Sequence, residues 1–260
     1  MRGDTECLPA VEYVEGWRPA RPVLLLPGLF AGDWIWKPAW DCLIADGFSV
    51  AKLTEPFAAL DTDSTSIDSL RSVVIGVLDE YEIGKAVVCG NSLGGLVALD
   101  AASHHPDRIQ SLVISGCPGL GDDTGLGLRS RGELSRPDAR EIAEKMFFDR
   151  SSIPAGLIDE SCAMVTDRRC AMNIIRYLIA IREYDVRSCL SQIQCDVLMI
   201  WGENDPIAPV EEWEHNLHRV ARGSLRKLPR CGHSPMIEQP AEFNAILSDF
   251  LANPAAVTLP

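Results

Sequence analysis

One segment, residues 85–95, constrains the fold more than any other part of the sequence. Residues 86–89 (Ala-Val-Val-Cys) are typical of a buried strand, and residues 93–102 are typical of a buried helix. Gly-Asn-Ser-Leu-Gly at 90–94 joins them. A strand that passes straight into a helix must turn sharply, and the glycines two residues before and after Ser92 let neighbouring backbone approach closely. The segment predicts a strand–turn–helix unit with Ser92 presented at the turn.

Further short apolar runs predict the rest of a sheet, and helical patterns lie between them. The predicted strands are residues 22–26, 48–53, 86–89, 111–115 and 196–201, with weaker ones at 11–15 and 224–228; the predicted helices are 36–46, 65–82, 93–104, 210–221 and 238–251. Continuous apolar strands that alternate with helices indicate an α/β fold with a doubly wound, mostly parallel sheet. Residues 11–15 alternate in polarity, which predicts an antiparallel edge strand.

One region interrupts this alternation. Residues 118–195 contain no core-type strand, and helices are predicted at 137–150, 155–166, 168–184 and 186–193, with Pro137 and Pro154 near helix starts. We therefore predict a helical cap at 118–195, inserted between core segments 1–117 and 196–260. Such a cap would cover the carboxyl edge of the sheet, where open α/β folds bind ligands.

Composition excludes several classes of partner. The chain has 260 residues, of which 47% are hydrophobic, and its 24 basic and 37 acidic side chains give a net charge of −13. That charge disfavours nucleic acid and anionic membranes. Nine cysteines without a Cys-x-x-Cys pair predict reduced thiols and no zinc site. No membrane span or signal peptide is indicated, so we expect a cytoplasmic protein with no metal; its oligomeric state stays open.

A serine nucleophile needs a base and a carboxylate that orients the base. His233 lies in the loop Cys-Gly-His-Ser-Pro, after a predicted strand, and is our candidate base. Asp205 follows the strand 196–201 and is our candidate acid, with Glu203 as the competing carboxylate. The His215 and His218 pair could face a metal, but without a third ligand nearby a solvated helix face is the better interpretation.

Backbone N–H groups near Ser92 are candidates to stabilise an oxyanion. Leu93 begins the helix after Ser92, and Leu29 follows Gly28 in the loop after the first core strand, so we predict that these two N–H groups form the hole. Candidate substrate-contacting side chains are those of Phe30, Trp34 and Trp36 in the same loop, and Met146, Phe147 and Met172 in the cap.

The chain resembles the α/β-hydrolase superfamily, specifically its small cap-bearing members. Four motifs carry the resemblance: the motif at 90–94, the Pro27-Gly28 loop, the Gly-Glu-x-Asp loop at 202–205, and Gly232-His233. The resemblance spans about residues 22–251. It implies a cofactor-free enzyme that acts on a small-molecule acyl substrate. Superfamily members usually have His-Gly where this chain has Pro27-Gly28, while the serine excludes the dehalogenase and epoxide hydrolase branches, which use an aspartate nucleophile.

The resemblance leaves the substrate open. Our leading hypothesis is hydrolysis of an ester, lactone or thioester through an acyl-enzyme. The alternative is C–C bond hydrolysis of a dienone acid, to which the Gly-Asn-Ser-Leu-Gly-Gly form of the motif looks similar. That reaction needs a basic pocket, for which Arg176 and Arg182 or Arg129 and Arg131 are candidates. A ligand receptor that signals through its cap, and a haloperoxidase-like enzyme, are less favoured hypotheses.

Overall fold

Seven strands form one sheet in the computed structural model, which describes residues 8–18, 21–60, 65–121 and 135–252. They are β1 (Val11–Val14), β2 (Val23–Leu26), β3 (Val50–Leu53), β4 (Ala86–Asn91), β5 (Ile109–Ser115), β6 (Asp196–Gly202) and β7 (Gly223–Leu228). Their order across the sheet is β1-β3-β2-β4-β5-β6-β7. β1 pairs antiparallel with β3, and the other pairings of these strands are parallel. The predicted mostly parallel sheet is confirmed.

The described α-helices follow the predicted order. They are α1 (Lys37–Ala45), α2 (Ile67–Glu80), α3 (Leu93–His104), α4 (Arg136–Lys145), α5 (Leu157–Thr166), α6 (Arg168–Glu183), α7 (Val186–Gln192), α8 (Val210–Asn216), α9 (Pro235–Glu238) and α10 (Pro240–Ala252). Several predicted bounds were wrong. α4 ends at Lys145 rather than 150, α8 ends at Asn216 and passes into a 3-10 turn, and Pro240 separates α9 from α10 because proline cannot donate a helical hydrogen bond.

The centre of the sheet is buried on both faces, which explains its continuous apolar strands. Every residue of β2 is fully buried, and so is nearly every side chain of β4. α3 is also buried from Leu93 to Ala102, because it packs on β4 and β5 and is covered by α2 and α7. A helix enclosed in this way holds the residue at its start, Ser92, in a rigid setting.

Helices α4–α7 lie in sequence between β5 and β6, where the cap is predicted. α6 is attached to the core through Asn173, whose Nδ2 donates to the carbonyls of Ala58 at 3.1 Å and Leu60 at 3.3 Å. At the end of α6, the Tyr184 hydroxyl donates to the buried Asp100 carboxylate of α3 at 2.6 Å. The three-part division of the chain stays a prediction, and residues 122–134 lie outside the described ranges. None of the described helices combines the length and apolarity that crossing a membrane requires.

Candidate active site

Ser92 occupies the turn between β4 and α3 in a backbone conformation that non-glycine residues rarely adopt. Its φ is 54° and its ψ is −124°. The surrounding backbone enforces this conformation, since the Ser92 N–H donates to the Ser115 carbonyl at 2.8 Å, and the Ser92 carbonyl accepts from the N–H groups of Gly95 and Leu96. Strain of this kind persists where neighbouring structure holds it, and it occurs often at functional sites.

The glycines of the motif are required by close packing around this turn. A Cβ on Gly90 would lie 2.2 Å from the carbonyl oxygen of Gly94, and a Cβ on Gly94 would lie 2.4 Å from that of Pro27. Real Cβ atoms do not approach backbone oxygens so closely, so no side chain fits at either position. The sequence pattern around Ser92 is therefore a direct consequence of the path of the backbone.

His233 and Asp205, which are far apart in sequence, form a buried pair. The imidazole Nδ1 lies 2.8 Å from Asp205 Oδ2. The other carboxylate oxygen, Oδ1, accepts the backbone N–H groups of Ile207 at 2.8 Å and Ala208 at 3.0 Å. Because an ionised carboxylate only accepts hydrogen bonds, the imidazole must donate from Nδ1. That tautomer leaves Nε2 free to take a proton. Glu203, the competing carboxylate, is exposed.

The backbone of His233 is fixed on both sides. Its N–H donates to the Met146 carbonyl at 3.0 Å, and its carbonyl accepts from Asn91 Nδ2 at 3.1 Å. Gly116 lies under the ring: a Cβ there would come within 2.6 Å of His233 Cε1. The backbone of His233 is thus held by Met146 and by Asn91, the residue before Ser92, and its ring lies against Gly116 at the end of β5.

Ser92 and His233 face one cavity. No hydrogen bond joins the Ser92 hydroxyl to the imidazole within the described ranges. Such bonds are often long without substrate and shorten when it binds, so the arrangement is compatible with a nucleophile–base pair. The structure therefore brings together Ser92, His233 and Asp205.

The two N–H groups expected to stabilise an oxyanion lie on either side of this turn. Leu29 lines the cavity next to Gly28, where a Cβ would lie 3.3 Å from Ser92 Cβ, and Leu93 is the first residue of α3. Neither N–H has a protein hydrogen-bond partner in the part of the chain that is described. Free N–H groups at a helix start carry partial positive charge and can receive a developing anion.

The cavity beside Ser92 is apolar. The empty space of the cavity together with its open mouth is about 490 Å³. Its apolar lining includes Ile142 of α4, Met146 directly after α4, and Leu178 and Ile181 of α6, together with Phe30 and Ile207 from the loops after β2 and β6. No Asp, Glu, Lys or Arg is among the described residues that line it.

The predicted pocket residues divide into two groups. Phe30 and Met146 line the cavity. Trp36 is not among the lining residues: its Nε1 donates to the Leu26 carbonyl at 2.9 Å, and its ring packs 6.1 Å from that of Phe243.

Trp34, Phe147 and Met172 also lie outside the described cavity lining. Trp34 is half-buried and packs against the core, and Phe147 is buried with its backbone beside Gly232. Met172 is 44% exposed on the outer side of α6. Helical spacing alone did not show which face of each cap segment turns inward.

Several lining residues were missed. Ile142, Leu178, Ile181 and Ile207 were not singled out, although the i, i+3 spacing of Leu178 and Ile181 was a signal for one inward face of α6. Asn91 also lines the cavity. It is fully buried at the cavity, its Nδ2 donates to the carbonyls of Ser115 and His233, and its Oδ1 has no partner among the described residues.

Other reactive groups near the turn are poor alternatives to Ser92. Cys89 and Cys117 are fully buried, and the loss of hydration raises the pKa of both thiols, so their thiolates are scarce at neutral pH. Within the described ranges, no three His, Cys, Asp or Glu side chains gather as metal ligands would, and His215 and His218 are exposed.

Comparison with known proteins places this arrangement in a family. The model of the alpha/beta hydrolase family matches residues 23–246. The chain belongs to the alpha/beta hydrolase family. It is 28% identical over 214 residues to a 2-hydroxy-6-oxononadienedioate/2-hydroxy-6-oxononatrienedioate hydrolase of Comamonas testosteroni, a match that covers 74% of this chain and 73% of that protein. The protein is thus a hydrolase, as the sequence resemblance implied.

Solved structures show that this hydrolase shares its fold with proteins of different named activities. A 2-hydroxy-6-oxo-6-phenylhexa-2,4-dienoate hydrolase from Rhodococcus matches with a TM-score of 0.77 and 20% identity, over 94% of this chain and 100% of that one. An esterase from Exiguobacterium antarcticum matches with a TM-score of 0.77 and 18% identity, over 94% and 95%. At these identities the likeness concerns the alpha/beta hydrolase fold and leaves the substrate undecided.

Proposed function

We propose that the protein is a serine hydrolase that cleaves a small-to-medium, uncharged ester, lactone or thioester through an acyl-enzyme on Ser92. The observation that carries the proposal is the apolar cavity directly beside Ser92, in which the proposed base, His233, is the one ionisable side chain among the described lining residues. An apolar wall stabilises a hydrocarbon acyl or alkyl group by removing it from water. It would penalise a buried anion that finds no partner.

The proposed mechanism gives each residue one task. His233 takes the Ser92 proton at Nε2 while the oxygen attacks the substrate carbonyl, and the Leu29 and Leu93 N–H groups stabilise the oxyanion. The imidazolium then donates its proton to the leaving oxygen or sulfur. A water molecule, deprotonated by His233, releases the acid and restores Ser92. Asp205 stabilises the imidazolium at Nδ1, 2.8 Å away.

A second candidate is hydrolysis of a C–C bond, which the names of relatives favour. Besides the Comamonas relative, a 2-hydroxy-6-oxo-6-phenylhexa-2,4-dienoate hydrolase of Burkholderia cepacia is 28% identical over 214 residues, covering 74% of this chain and 73% of that protein. A dienoate carries a carboxylate and calls for a cation in the site. Arg176 and Arg182 are exposed and do not line the cavity, while Arg129 and Arg131 lie outside the described residues. The described cavity therefore favours the uncharged substrate.

The proposal is tested with a panel of uncharged p-nitrophenyl esters, lactones and thioesters beside one dienone acid. We expect turnover of the uncharged compounds, and Ser92→Ala should lower kcat by roughly 10⁴-fold or more. A fluorophosphonate should add one adduct, located on Ser92 by mass spectrometry. Ser72→Ala, an exposed serine on α2, is the matched control.

Three outcomes would contradict the proposal. Near-normal ester hydrolysis by Ser92→Ala would exclude the acyl-enzyme. Turnover of the dienone acid but none of the esters would assign the chain to the C–C bond reaction instead. Turnover of neither substrate, together with ligand-dependent binding of a partner protein, would favour the receptor hypothesis.

A further inference from the structure

A carboxylate that the proposed mechanism does not use lies behind the loop of His233. Glu238, the last residue of α9, is half-buried. Its Oε1 accepts the backbone N–H of Gly232 at 2.8 Å, and its Oε2 accepts that of Phe148 at 2.7 Å. No salt bridge between described residues includes Glu238. Its two oxygens therefore serve backbone donors from two separate segments.

These two segments are the ones that confine the proposed base. Gly232 immediately precedes His233, and Phe148 lies two residues after Met146, whose carbonyl accepts the His233 N–H at 3.0 Å. The backbones are in contact here, since a Cβ on Gly232 would lie 2.8 Å from the Phe148 nitrogen. Glu238 and the His233–Met146 hydrogen bond thus connect the loop of His233 to the segment directly after α4.

The chemistry of the side chain suits this task. A carboxylate offers an acceptor at each of its two oxygens, whereas the isosteric amide of glutamine offers only one and places a donor at the other. Hydrogen bonds from N–H groups to a charged acceptor are also stronger than neutral ones. Burial raises the pKa of Glu238, and the N–H groups of Phe148 and Gly232 oppose that shift.

We propose that Glu238 is a positioning residue that holds the loop of His233 against the segment after α4, and through it sets the imidazole against Asp205. The inference rests on the proposed function, because it concerns the placement of the proposed base. It goes further in one respect: Met146 lines the cavity, so the same carboxylate links the wall of the cap to the base.

The test compares Glu238→Gln with Glu242→Gln, an exposed glutamate on α10. We expect Glu238→Gln to lower kcat per active site by about 10-fold to 100-fold, the consequence of one unmet backbone donor beside the base. Active sites are counted by fluorophosphonate titration, so that unfolded protein does not enter the rate. Glu242→Gln should stay within about twofold of the parent protein.

A second readout does not depend on turnover. The Nδ1 proton shared by His233 and Asp205 should give a low-field ¹H NMR resonance in the parent protein and in Glu242→Gln, and it should broaden or move in Glu238→Gln. Should the glutamine variant fail to fold, Glu238→Asp keeps both acceptor oxygens on a shorter side chain. It should show a smaller loss of kcat and the same change in the resonance.

An unchanged resonance and an unchanged kcat per titrated site would overturn the inference. So would a Glu238→Gln variant that loses only thermal stability, because that result assigns Glu238 a structural role alone. Failure of the proposed function has a different signature: the parent protein would not react with the fluorophosphonate, or Ser92→Ala would stay active. The resonance reports the position of the imidazole in either case.

Discussion

Replacing Asp205 by asparagine turns one of two acceptor atoms into a donor, and the hydrogen bonds around that side chain determine which tautomer His233 adopts. The amide oxygen can face the N–H groups of Ile207 and Ala208, which directs the NH₂ group at His233. The imidazole must then accept at Nδ1 and carry its proton on Nε2, where it cannot take a proton from Ser92. The opposite orientation keeps the productive tautomer but leaves both buried N–H groups without an acceptor.

The free-energy difference between the two orientations follows from the two backbone N–H groups that Asp205 Oδ1 accepts. Each unmet buried donor costs about 1–3 kcal/mol, so two of them favour the unproductive orientation by about 2–6 kcal/mol. At about 1.4 kcal/mol for each factor of ten, roughly one molecule in 30 or fewer keeps the productive tautomer, and at the upper end about one in 10⁴. Loss of the charge that stabilises the imidazolium adds to the effect. We therefore expect Asp205→Asn to lower kcat by at least about 30-fold.

The assay is steady-state hydrolysis of the best ester from the panel, with circular dichroism to verify folding. Glu203→Gln is the matched control: it neutralises an exposed carboxylate two residues away and should change kcat by less than about twofold. A loss below about tenfold in folded Asp205→Asn would refute the tautomer argument. A larger loss in Glu203→Gln than in Asp205→Asn would transfer the role of the acid to Glu203.

Two further substitutions test the packing around the site. Gly116→Ala places a Cβ 2.6 Å from the ring of His233, at a backbone φ of +57° that disfavours a side chain. It should lower kcat by about 100-fold or more in an ester assay. Gly84→Ala, where the added Cβ has no atom within 4 Å, is the control and should have little effect. Tyr184→Phe removes the hydroxyl that donates to the buried Asp100 carboxylate at 2.6 Å. It should lower the free energy of unfolding, measured by urea denaturation, by about 1.5–3 kcal/mol. An unchanged urea midpoint would contradict a stabilising role for this hydrogen bond.

The sheet and the turn at Ser92 could be predicted from the sequence, because the local residue pattern and the packing of the folded protein require the same residues there. A Cβ on Gly90 would clash with Gly94 in the same segment, and a Cβ on Gly94 would clash with Leu26 and Pro27 at the end of the neighbouring strand. Both positions therefore require glycine, and the spacing of the two glycines indicated the turn. The antiparallel first edge was likewise visible in the alternating residues of β1.

The sequence did not show which side chains of residues 136–193 face the cavity, because their direction depends on contacts between distant segments. Met146 and Met172 are chemically identical, yet one lines the cavity and the other is 44% exposed. Trp36 precedes a helix near the site, but Phe243 of α10 holds its ring in the core. The role of Glu238 was hidden for the same reason, since its acceptor atoms serve Phe148, far away in the chain.

Asn91 both lines the cavity and holds the backbone of His233, and this limits how the enzyme can acquire new substrates. The side chain borders the cavity, and its Nδ2 also donates to the carbonyl of His233 at 3.1 Å, so a change that reshapes the cavity at this position also disturbs the base. Ile142 of α4 and Leu178 and Ile181 of α6 border the same space, and their hydrocarbon side chains have no hydrogen-bonding group that could hold His233 in place. Adaptation to a different substrate, by natural selection or in the laboratory, should therefore proceed through these three positions while Asn91 is kept.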